Sequence, residues 1–150
     1  MTQTGNVIVT SVMVGAGGVL ASILIHGFAV TGIVIFGRRQ LRVGRAGTGF
    51  WNDLTIVTIA TMLAFTAHLL EIALWAVLFW GSGEFSGVVA NLHYAAANYT
   101  TLGSAEAPTR SALLAPLAAT DGMLMFGLST AMLFAVIQRL LGTRYPDLRD

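Results

Sequence analysis

The sequence predicts an all-α membrane protein with three transmembrane helices and a re-entrant helix and loop between the second and the third. Three observations lead to this fold class. Hydrophobic residues make up 55% of the chain and charged residues 10%, with a mean hydropathy of +0.76, far from the balance of a water-soluble domain. Apolar runs at residues 7–36, 54–80 and 113–141 each exceed the roughly 20 helical residues that cross a hydrocarbon core of about 30 Å. The stretch 81–111 is too apolar in its middle for a loop in water and too interrupted for a fourth span.

The same composition excludes other classes. All eight basic residues are arginine and the net charge is +1, which offers no basic field for nucleic acid. With no cysteine there is no disulfide framework, thiolate metal site or cysteine nucleophile. At 150 residues the chain forms a single folding unit, and any large structure requires several copies.

The first run lacks a basic leading region and is longer than the ~7–15 apolar residues of a signal peptide, so it is read as a retained span within residues 1–37. Residues 38–52 follow as a basic loop, with Arg38, Arg39, Arg42 and Arg45 in "GRRQLRVGRAGTG". Arg139 stands at the end of the third run, and Arg144 and Arg149 follow it. The positive-inside rule puts both segments in the cytoplasm, leaving the N-terminus outside and the 142–150 tail inside. The expected location is the cell membrane, with several passes.

The second run carries His68 and Glu71 at i and i+3, on one helix face. Ionisable groups inside a span point to function. Two readings stand: a pair that binds a metal or senses protons, or a hydrogen-bonded pair that holds a neighbouring helix. One histidine and one glutamate do not complete a metal site within a subunit, so no metal is assigned. A counterpart is expected on the half-helix, which has no acidic residue at its C-terminal end.

That half-helix is "FSGVVANLHYAAANY", residues 85–99. About four turns cover roughly half a membrane crossing. Backbone that is not helical is tolerated at membrane depth only where protein buries it or where it lines a water-filled cavity, and residues 100–108 would be such backbone. In the third run, Asp121 is followed by Gly122 and Gly127. Asp121 either faces a cavity or bonds to a neighbouring helix. The glycines serve as close-packing points or, at Gly127, as a hinge. His26 in the first run is read as a packed or interfacial histidine.

The segment "NYTTLGSAEAP", residues 98–108, is where a family resemblance becomes specific. A span, a re-entrant helix, a Thr-Thr-apolar-Gly turn and another span resemble the pore module of tetrameric potassium channels, whose filter reads TVGYG. Thr100, Thr101, Leu102 and Gly103 match the opening of the pattern T-T-V-G-Y-G-D. His93 and Tyr94 fall at its aromatic pair on the pore helix, and Glu106 at its acidic position. "YTTLG", then "LLAPL", then "DGMLMFGLSTAMLFAVIQRL" resemble small bacterial channel-like proteins of that superfamily over residues 53–141. The first run lies outside the likeness.

The resemblance implies a homotetramer in the lipid bilayer, not an enzyme, that conducts K+ or Na+ passively and has no cofactor beyond those ions. It implies a filter at Thr100, Thr101, Leu102, Gly103 and Ser104, an acidic outer mouth at Glu106, a cavity ring at Asp121 and pore-helix packing by His93 and Tyr94. Ser104 stands at the family's tyrosine and Ala105 at its second glycine. Alanine resists dihedrals that glycine permits, so a shortened filter with weakened selectivity is expected. The alternative is a non-conducting membrane assembly, or a metal or proton sensor, that uses His68 and Glu71. A small enzyme or haem carrier ranks last, because the three histidines fall on three separate elements.

Overall fold

Four helices form in the computed structural model, which describes residues 2–83, 85–103 and 113–145. They are α1 (Thr2–Arg42), α2 (Phe50–Gly81), α3 (Val88–Tyr99) and α4 (Leu114–Arg144), with no strand among the described residues. Three are long and apolar enough to cross a membrane, as expected of a membrane protein. α1, α2 and α4 have 41, 32 and 31 residues, or about 60, 48 and 46 Å at ~1.5 Å per residue. α3 has 12 residues, about 18 Å, well short of a hydrocarbon core of about 30 Å.

The helices outrun the apolar runs that mark them. α1 continues to Arg42 and α2 begins at Phe50, because arginine, glutamine and leucine are good helix formers and hydropathy registers only the lipid-compatible part. Arg39 and Arg42 occupy the last turn of α1, where positive charge suits the helix dipole.

The chain divides into two units: Met1–Ile25 with His68–Phe126, and His26–Ala67 with Gly127–Asp150. In the first, Trp75, Phe79, Tyr94, Tyr99, Leu114 and Met125 form the core, with Ala76, Ala95, Ala115 and Ala118 between them. Phe79 meets Tyr94 edge to face, with centroids 4.9 Å apart, and the Phe85 ring lies tilted against Tyr94 at 5.1 Å. Small residues let the helices approach, as is usual in membranes. A Cβ on Gly18 would come within 2.6 Å of Leu78 and 3.3 Å of Trp75.

In the second unit, Ile33, Ala60, Ala64 and Met132 form one cluster, and Ala46, Ile56 and Leu140 another. The turn between α1 and α2 takes positive φ at Gly44 and Gly47. The Gly47 amide donates to Asp53 Oδ1 at 2.7 Å, which draws Ala46 into the core. Asp53 also receives Arg144 Nη1 at 3.5 Å, a partly exposed pair of small weight.

Candidate functional site

His68, Glu71 and Trp75 are buried, and their i, i+3, i+7 spacing sets them along one face of α2. A buried ionisable group needs a partner, since leaving it unpaired in an apolar medium is costly. The partner is Tyr99, the last residue of α3. Its hydroxyl donates to Glu71 Oε2. His68 Nδ1 lies 2.9 Å from the same hydroxyl and 3.2 Å from Glu71 Oε2. With the proton on Nδ1, the imidazole donates to the phenol oxygen while the phenol donates to the carboxylate, so both donors are satisfied at once. Phe126 of α4 stacks on His68 at 4.5 Å and meets Tyr99 at 5.7 Å. Both His68 and Glu71 have metal-ligand chemistry, and both are turned onto the Tyr99 hydroxyl.

α4 closes the site from another side. Trp75 Nε1 donates to Asp121 Oδ2 at 2.8 Å, and Asp121 is fully buried. Of its two sequence-based readings, the bond to a neighbouring helix is therefore the one found. In the single chain Asp121 thus serves as an interhelical anchor for Trp75. One residue on, Gly122 is also buried. A side chain there would collide with the Tyr99 carbonyl oxygen, so glycine lets the end of α3 lie directly on the α4 backbone.

Beyond Tyr99 the chain turns sharply. Thr101 has φ 62°, the sole positive φ outside glycine among the described residues, and Gly103 has φ 77°. A β-branched residue in the left-handed region is a genuine outlier. The Thr101 amide donates to Asn98 O at 2.9 Å and the Gly103 amide to Ala97 O at 2.9 Å, a closure akin to a Schellman motif. The Thr100 hydroxyl donates to Ala96 O at 2.7 Å, which keeps its lone pairs for another partner. Thr100, Thr101, Leu102 and Gly103 are all exposed, Leu102 at 84%.

The remaining sequence candidates take different surroundings. Tyr94 is buried in the aromatic core, whereas His93 is exposed. Gly127 is exposed within unbroken helix, with nothing near its missing Cβ. His26 is buried, and its Nε2 pairs with Ser129 Oγ at 3.0 Å. Ser104, Ala105 and Glu106 lie outside the described residues. Sequence reasoning missed Tyr99 and Trp75. Tyr99 shares a helical face with Asn91, Tyr94 and Ala95, and all four are buried.

No family model, curated protein or solved structure matches the chain.

Proposed function

We propose that the chain is one protomer of a homotetrameric, passive cation channel in the cell membrane, with residues 53–141 as its pore module and residues 100–103 as the inner part of a short filter. One observation carries this reading. A helix too short to cross a membrane is anchored at its C-terminal end by the buried Tyr99–Glu71–His68 network, and residues 100–103 after it are exposed. A non-helical, uncovered backbone at membrane depth needs protein or a water-filled cavity beside it, and further copies around an axis would supply both. The end of α3 carries the negative pole of its dipole, which suits a cation, as do backbone carbonyls and the Thr100 hydroxyl oxygen.

On this reading K+ or Na+ are the transported ions, and Ser104 and Ala105 weaken the preference for K+. Glu106 forms the outer mouth, the N-terminus lies outside and the C-terminus lies in the cytoplasm. Proteoliposomes carrying the chain are expected to pass K+ and Na+ but not a bulky organic cation. Mass measurement in detergent is expected to give four copies, and a monomer or dimer would remove the channel.

A second reading has its own support. The amides of Thr101 and Gly103 bond back to α3, as in a turn that merely closes a helix. This favours a non-conducting membrane assembly in which His68 and Glu71 hold α3 in place or sense protons or a metal. Tetramers without flux would select it.

A further inference from the structure

The second unit contains a cavity of about 420 Å³ among α1, α2 and α4, within the usual range for small-molecule sites. Twelve residues line it, and ten are apolar or glycine. Ile33, Ile56, Met132 and Leu140 wall it. The two polar ones are Arg38 and Arg139. Neither arginine pairs with a carboxylate among the described residues; the Asp53 carboxylate of the same unit is taken by Gly47 and Arg144.

We propose that this cavity is a binding site for an anionic phospholipid, with one acyl chain against the apolar walls and the headgroup phosphate between Arg38 and Arg139. The charge complementarity commits the site to an anion, because guanidinium forks bind phosphate in two-pronged fashion. The apolar interior commits it to an anion that carries a hydrocarbon chain. A basic pocket between membrane helices on the cytoplasmic side is a recognised setting for anionic headgroups, and the basic loop puts these arginines on that side. The inference rests on the membrane reading but not on conduction.

The test uses the purified 150-residue chain, delipidated in detergent, with phosphatidylglycerol, phosphatidylcholine and glycerol phosphate compared by native mass spectrometry. Phosphatidylglycerol is expected to bind about tenfold more tightly than phosphatidylcholine, and glycerol phosphate not to bind. R38Q/R139Q should abolish the preference. R42Q/R45Q, which alters two arginines outside the cavity, should retain it. Ala135→Phe, which fills the cavity, should lower the uptake of both lipids while leaving the helical circular dichroism unchanged. Equal binding of the two lipids, equal loss in both arginine pairs, or binding of glycerol phosphate alone would overturn the site. A chain that fails to enter membranes at all would instead overturn the membrane reading.

Discussion

The carbonyl oxygen of Tyr99 occupies the space that a side chain on Gly122 would need. The last turn of α3 and the N-terminal third of α4 thus meet backbone to backbone, near where the Tyr99 hydroxyl reaches across to α2. Replacing Gly122 with alanine forces the end of α3 off α4. A loss of about 1–3 kcal/mol is expected, as for other overpacked cores, read as a lowered Tm in detergent. Gly127→Ala is the contrast, since nothing lies near its missing Cβ. It should leave Tm unchanged or raise it, because alanine is favoured over glycine in a helix by roughly 0.5–1 kcal/mol. Equal losses in both variants would mean that the Tyr99 contact is unimportant.

Tyr99→Phe removes the hydroxyl that serves both Glu71 and His68 while keeping the ring that packs on Phe126. Leaving buried polar partners unsatisfied costs about 1–3 kcal/mol. Glu71→Gln should cost part of the same amount, and the double variant less than the sum, since residues of one network couple. Additive losses in thermal unfolding would show that the network is not one unit.

Thr101→Gly relieves the left-handed backbone. The αL conformation costs an ordinary residue about 1–2 kcal/mol, and the extra freedom of glycine in the unfolded chain returns part of it. The variant should be as stable as the parent or more stable by up to about 1 kcal/mol. On the channel reading the strain belongs to the filter, so flux or ion preference should change even as stability holds. Unchanged flux and preference would reduce Thr101 to a capping residue.

On the channel reading, Ser104→Tyr with Ala105→Gly supplies the tyrosine and second glycine of the pattern T-T-V-G-Y-G-D. More well-oriented carbonyls discriminate better between K+ and Na+. The reversal potential under opposed K+ and Na+ gradients should shift toward K+ in the double variant. A parent that already selects K+ strongly would show that residues 100–103 suffice.

Hydropathy and helical period are local quantities, and what depends on them was legible in the chain. The three spans and the short interrupted helix follow from run length against membrane thickness. His68 and Glu71 share a face because they stand three residues apart. The need for a counterpart on the half-helix was equally local, since a buried pair must be answered by its neighbour. Which residue answers was not legible. Tyr99 is 28 residues from Glu71, and Trp75 is 46 from Asp121, so these meetings depend on how α3 and α4 rotate and slide against α2. That register is set by small residues such as Gly122, which look alike in sequence whether they touch lipid, solvent or another backbone. The sign of φ at Thr101 was hidden for the same reason, because threonine does not choose the left-handed region by itself. In the folded chain the amides of Thr101 and Gly103 bond back to Asn98 and Ala97, and this closure accompanies the left-handed turn.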